Sequence, residues 1–264
     1  MRDVRAMTWS VEEKRDACLR APMGGDLVRT DTRIIARPGW YQVVTPSAPG
    51  SVLNEVVLSQ VDVAEAEQVI DETIAVYRET GHPTKWCVGF WTRPEDFGER
   101  LTRRGFSSWD VRGMGCDTTT VHTAPRRVTV DEVTEPDLDS YVSVEQQGWS
   151  LPASDAEVQR GVYLSALRAH PRRVHLFVAR LGGEVVGTAG LVLRDGYAYL
   201  LGAQVLEAAR GQGAYRALVT ARLEFLRECG IGYAVTQARE ATSAPILEHL
   251  GFETLFRSRC YRLP

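Results

Sequence analysis

Val205–Tyr215 reads Val-Leu-Glu-Ala-Ala-Arg-Gly-Gln-Gly-Ala-Tyr. An apolar run, Tyr199-Leu200-Leu201, precedes it, and an amphipathic pattern ending at Cys229 follows. Two glycines therefore fall in a tight turn between a strand and a helix. Gly211 and Gly213 allow positive φ and a close approach of backbone to ligand. The helix opens on Ala214, Tyr215 and Arg216, with no carboxylate to fill its first turn. Its unbonded N–H groups and positive dipole end stay available, and Arg210 and Arg216 add charge. That combination is an anion site suited to phosphate or pyrophosphate. A Rossmann loop would need Gly-x-Gly-x-x-Gly and a later acid, and a Walker loop would need Gly-Lys-Ser/Thr; neither is present.

Composition narrows the class. The chain has 264 residues, 44% hydrophobic and 25% charged, enough for one large or two smaller globular domains. A net charge of −3 supplies no basic field for nucleic acid. Apolar runs stay short of the roughly 20 residues of a membrane helix, and Met1–Arg5 lacks the apolar core of a signal peptide. The five cysteines, at 18, 87, 116, 229 and 260, form no Cys-x-x-Cys and no zinc spacing with histidine. The expectation is reduced thiols, no metal and a cytoplasmic setting.

Periodicity and punctuation give the elements. Ser10 with Glu13 caps a helix to Arg20, and runs around Pro38-Gly39 form a hairpin. Strands are expected at 54–60 and 85–91 around a helix whose apolar positions include Ile70, Ile74 and Tyr77. A helix opens at Thr92-Arg93-Pro94-Glu95, and a strand follows Gly105. The polar stretch 118–126 reads as a linker between a domain at 1–117 and one at 127–264. The second domain reads strand, two helices, a three-strand meander ending in a single strand 197–205, the glycine loop, helix, strand 233–237, short helix 243–249 and a last strand. In the long helix, Arg216, Thr220, Glu224 and Arg227 are assigned to solvent.

Arg210-Gly211-Gln212-Gly213-Ala214-Tyr215 resembles the acetyl-CoA loop of the GNAT acetyltransferase family, [RQ]-x-x-G-x-[GA]. Tyr215 replaces its small last residue, and Glu207 stands where the family keeps a proline. The element order of 127–264 and Leu250-Gly251-Phe252 fit the same family. The resemblance implies an α/β (α+β) GNAT fold, a mixed and mostly antiparallel sheet flanked by helices. It implies acetyl-CoA as donor, with Ala203, Gln204 and Val205 binding its pantetheine arm and residues 210–216 its pyrophosphate. The N–H of Val205 would polarise the acetyl carbonyl. An acceptor amine, on a small molecule or peptide, would attack directly. Cys229, at the far end of the helix, is read as core.

A lysine-like amine, with a reference pKa of about 10.4, costs roughly 4–5 kcal/mol to deprotonate at pH 7. A base must offset that, and the candidates are Glu145 and Glu240. Trp149 either lines the acceptor pocket or is core. The family's usual thiolate-protonating tyrosine falls on Leu247, and its frequent asparagine on Glu240. Ser243 is a substitute acid, a CoA contact or a helix cap.

The two halves echo each other. Leu101-Thr102-Arg103-Arg104-Gly105-Phe106 parallels Leu247-Glu248-His249-Leu250-Gly251-Phe252, and each ends a strand–helix–strand–helix series. The first half has no glycine loop, and Asp62, Glu65 and Glu67 crowd the equivalent helix start, where they would repel phosphate. It reads as a degenerate GNAT-like domain without a CoA site. The alternatives are a non-catalytic acyl-CoA-binding protein and an acyltransferase with another donor or acceptor. Oligomeric state is not legible.

Overall fold

The computed structural model describes residues 9–51, 53–119 and 127–263. The elements follow in chain order. Helix α1 (Val11–Arg20) leads to strands β1 (Arg33–Arg37), β2 (Trp40–Val44) and β3 (Glu55–Ser59). Helix α2 (Ala66–Thr80), strand β4 (Thr84–Val88), helix α3 (Phe97–Arg103) and strand β5 (Ser107–Asp117) complete the first half. The second half runs β6 (Val128–Glu132), α4 (Leu138–Trp149), α5 (Ala156–Arg168), β7 (Val174–Leu181), β8 (Glu184–Leu193), β9 (Ala198–Tyr199) and β10 (Ala203–Val205). It ends with α6 (Ala214–Glu228), β11 (Tyr233–Arg239), α7 (Ser243–His249) and β12 (Glu253–Leu263).

Local chemistry accounts for most boundaries. Ser10 and Glu13 exchange the two bonds of a capping box at the start of α1. Thr134 and Asp137 do the same for the turn that leads into α4. The helix expected from Thr92 begins later, at Phe97. Arg93 stays extended because its N–H bonds to the Ser59 carbonyl and its own carbonyl accepts from Val61. Strand β4 stops at Val88, where Thr92 closes a turn by bonding to Gly89.

Contacts divide the chain into two compact units that are not consecutive stretches. The carboxy-half unit comprises Met1–Leu27, Gly113–Gln237 and Pro245–Leu255; the amino-half unit comprises Val28–Arg112, Ala238–Ala244 and Phe256–Pro264. Most of the linker expected at 118–126 lies outside the described residues.

In the amino-half unit the strand order is β1-β2-β3-β4-β12. Neighbours are antiparallel except β3 and β4, which run parallel through Glu55–Lys85 and Val56–Trp86. Ile70, Ile74 and Tyr77 of α2 pack with Phe97 and Leu101 of α3 on Trp40, Trp86 and Tyr261.

In the carboxy-half unit the order is β11-β9-β8-β7-β6, with β10 paired to β8. Here too one pair is parallel, β11 with β9, through Ala234–Ala198 and Val235–Tyr199. A crossover through a helix to a short parallel pair therefore occurs in each unit. Val133, Leu138 and Tyr141 pack on Leu176 and Val178 on one side. Helix α6 buries Leu218, Val219, Leu223 and Leu226.

Two assignments in α6 are corrected. Thr220 is buried rather than solvent-facing, and Cys229, the residue that closes the helix, is exposed rather than core.

Candidate active site

The single strand expected at 197–205 is broken, and the break makes the site. Its first part, β9, bonds to β8 on one side and β11 on the other. The Leu200 N–H still reaches the Val235 carbonyl at 2.9 Å. Beyond it the chain swings toward β8, where the Gly190 N–H bonds to the carbonyls of both Leu201 and Gly202 at 2.9 and 3.1 Å. Strand β10 then pairs with β8 alone, through Ala203–Ala189, Gln204–Thr188 and Val205–Gly187.

Hydrogen-bond direction alternates along such a strand. Gly202 O and Leu206 N face β8, the latter bonding to Val186 O at 2.9 Å. The peptide groups of Ala203 and Val205 consequently face away, along the side where β9 had β11. A buried arginine completes the parting. Arg222 of α6, 2% exposed, donates to Gly190 O at 2.9 Å and to Leu218 O at 3.0 Å. Burial draws its pKa down to about 10, which leaves it charged at neutral pH.

From Val205 the chain passes a 3-10 turn (Glu207–Ala209) and reaches the glycines in the left-handed region, Gly211 at φ +76° and Gly213 at φ +89°. Gly213 is the N-cap of α6 and gives no side-chain cap, and the first turn holds no acid. Ala217 N–H makes the first helical bond, to Gly213 O at 2.9 Å. The N–H groups before it precede the helical ladder. Arg210 and Arg216 are exposed, and Arg210 Nε reaches Val205 O at 3.4 Å. Gln212 bonds back to Ala208 O at 3.4 Å. An extended chain with outward amides, leading into an unfilled helix start, fits a pantetheine arm followed by pyrophosphate.

Glu145 lies on α4 beside β8 and β10. Thr188, the cross-strand partner of Gln204, donates its hydroxyl to Glu145 Oε1, and the Tyr163 hydroxyl lies 3.5 Å from Oε2. Trp149, on the next turn of the same helix, is 46% exposed. Burial of the Glu145 carboxyl end pushes its pKa up, against the downward pull of the Thr188 and Tyr163 hydroxyls. Tyr141 and Tyr163 meet edge to face at 5.0 Å behind it. Gln204 pins α4 to β10 by donating to the Val144 carbonyl, and Gly148 leaves room, since a Cβ there would overlap the Gln204 amide.

Glu240 and Ser243 belong to the amino-half unit. Glu240 is held by Arg112 through two bonds, one of 2.7 Å, and by Arg257 at 2.5 Å. The Arg112 bond leads the causes that lower its pKa, so it stays ionised and is a weak proton acceptor. Ser243 accepts a bond from Arg239 N–H at 3.0 Å, which ties the start of α7 to the end of β11. Leu247 is buried.

The amino-half unit fills its own version of the strand parting. After Val56 the pairing of β3 with β4 ends, and Trp91, 5% exposed, donates its indole N–H to Val57 O at 3.1 Å. Gln60 holds the Trp91 carbonyl at 2.9 Å. The first turn of α2 carries Glu67, gripped by Arg100 at 2.8 Å and Arg104 at 2.6 Å.

Comparisons with known proteins agree with this architecture. Residues 138–252 match the model of the Acetyltransferase (GNAT) family, and that part of the chain is a GNAT domain. A GCN5-related N-acetyltransferase from Kribbella flavida has the same fold, with a TM-score of 0.65 at 14% identity over 98% of this chain and 97% of that one. A tandem GNAT protein from the clavulanic acid biosynthesis pathway gives 0.58 at 16% identity, covering 92% and 87%. A functionally unknown conserved protein from Staphylococcus epidermidis gives 0.68 at 13%, covering 89% and 95%. Comparison with curated proteins returned no match. Residues 138–252 thus form a GNAT domain, and the chain as a whole shares the fold of these structures, a tandem GNAT protein among them.

Proposed function

We propose that the chain is an N-acetyltransferase that uses acetyl-CoA and a primary amine. The observation that carries this reading is the parted edge of β10 running into the uncapped, acid-free start of α6. Ala203 and Val205 would bond the pantetheine amides, and residues 210–216 the pyrophosphate. Bound there, acetyl-CoA supplies an activated acetyl thioester. The Val205 N–H would polarise the acetyl carbonyl, whose oxygen gains charge during transfer.

Glu145 is the base in this reading and Glu240 is not. A proton acceptor works best with a pKa raised toward the working pH, and burial raises Glu145 whereas Arg112 and Arg257 lower Glu240. Glu145 takes a proton from the acceptor's ammonium so that the neutral amine is the nucleophile, Thr188 and Tyr163 orient Glu145, and Trp149 would form the rim of the acceptor pocket. Ser243 serves as a tie at the start of α7. The domain division, 1–117 and 127–264 with the first domain free of CoA, belongs to the same reading, as does a cytoplasmic setting. Among the described residues no helix is long and apolar enough to cross a membrane.

The test is release of free thiol from acetyl-CoA across a panel of primary amines, amine-bearing antibiotics and peptides. Amine-dependent release with matching acetylated product is expected. Tight acetyl-CoA binding with no amine-dependent release across the panel would assign the chain to acyl-CoA binding without transfer.

A further inference from the structure

The amino-half unit holds a pair of thiols that acyl transfer leaves unused. Cys87 on β4 and Cys260 on β12 are direct partners across the antiparallel pair, and both are buried. Their sulfurs lie 3.6 Å apart. Opposed residues on antiparallel strands have Cα atoms about 4.5–5.5 Å apart. That falls inside the roughly 4.4–6.8 Å a disulfide spans, and the bond itself needs about 2.05 Å. Closure therefore asks for side-chain movement and no change of register. Cys18, by contrast, turns its thiol to the Met114 and Thr236 carbonyls.

The surroundings divide the pair: a thiolate is favoured at Cys260, while the neighbouring Cys260 sulfur and burial push the Cys87 thiol well up. Lys85 lies two residues from Cys87, on the same face of β4, and pairs with Glu55 at 2.5 Å. Its ammonium acts on both sulfurs. The Cys87 S–H leads the causes that hold the Cys260 thiol below its ordinary range, and Lys85 adds to it.

We propose that Cys87 and Cys260 form a reversible disulfide site, closed by hydrogen peroxide and reopened by a thiol reductant. The Cys260 thiolate attacks one peroxide oxygen, the O–O bond breaks, and Cys260 sulfenic acid and hydroxide form. The Cys87 thiol then attacks the Cys260 sulfur, expels the second hydroxide and gives up its proton. The two thiol protons convert both hydroxides to water. Two thiols are thus oxidised by two electrons as one peroxide is reduced to two waters. The product bond would join β4 to β12, strands far apart in the chain, and restrict the unfolded state.

The experiment treats the full-length protein with a few equivalents of hydrogen peroxide, then measures intact mass, thiols in denaturant and linked peptides. The expected result is loss of two hydrogens, a fall from five titratable thiols to three, a Cys87–Cys260 peptide, and full reversal by dithiothreitol. The oxidised form should unfold at higher urea. Cys87→Ser and Cys260→Ser, checked for native circular dichroism, should each prevent the loss of two hydrogens. Five thiols surviving in the treated protein, oxygen addition without a link, or a link between other cysteines would each overturn the proposal.

Discussion

Glu145→Gln separates the catalytic from the structural meaning of one buried carboxyl. Gln keeps the size of Glu and an oxygen for the Thr188 hydroxyl to donate to, and it removes the proton acceptor. Loss of general-base help is expected to lower turnover by about 10²–10⁴-fold, or roughly 2.7–5.5 kcal/mol at 1.36 kcal/mol per decade. The assay is thiol release with a proven amine from pH 5 to 9. Wild type should show an acidic limb from Glu145, displaced above the ordinary carboxylate range by burial, and the variant should lack it. Stability should move the other way. A carboxyl whose folded pKa is raised contributes fully below its unfolded pKa of about 4.3, and the contribution is lost as pH rises through the folded value. The variant escapes that loss. Its melting temperature relative to wild type should climb from pH 4 to pH 8, by roughly 2–4 °C per kcal/mol recovered. Wild-type turnover with an unchanged acidic limb in Glu145→Gln would refute the assignment.

Thr188→Val removes a bond that lowers the Glu145 pKa, so the acidic limb should shift to higher pH with binding of acetyl-CoA retained, read from the same pH series. Glu240→Gln should leave the turnover profile unchanged. Because the Glu240 pKa is lowered, the stability it contributes is present above about 4.3 and lost as pH falls through the folded value. The variant should flatten the stability curve in that acid window, measured by urea unfolding. Trp91→Ala should cost about 3–5 kcal/mol in denaturant unfolding, as for other buried aromatics. With Glu67 still at the start of α2, acetyl-CoA stoichiometry should stay at one per chain.

The glycine loop was legible because each of its parts is local. Gly211 and Gly213 mark the turn, and the absence of acid at 214–216 leaves the helix start open. The capping boxes at Ser10 and Thr134 are local in the same way. What escaped the sequence depends on contacts between distant residues. The run 197–205 alternates well enough to read as one strand, and only Gly202 in its middle hinted at the break. Thr188 and Tyr163 became visible as partners of Glu145 only once α4, α5 and β8 came together. Glu240 reads as a base by position; its two ion-pair partners, Arg112 far away in sequence and Arg257 nearby, come to it only in the folded chain. Helical periodicity placed Thr220 in solvent, yet α6 is covered on more of its circumference than a single apolar stripe requires.

Calorimetric titration of acetyl-CoA onto wild type, Gly213→Ala and Gly213→Glu tests the central claim most directly. Both substitutions force a side chain into φ +89°, so alanine measures the strain and glutamate adds negative charge at the helix start. The account predicts one site per chain in wild type, weaker binding in Gly213→Ala, and no measurable binding in a Gly213→Glu protein that retains its circular dichroism. Wild-type affinity in Gly213→Glu would contradict it.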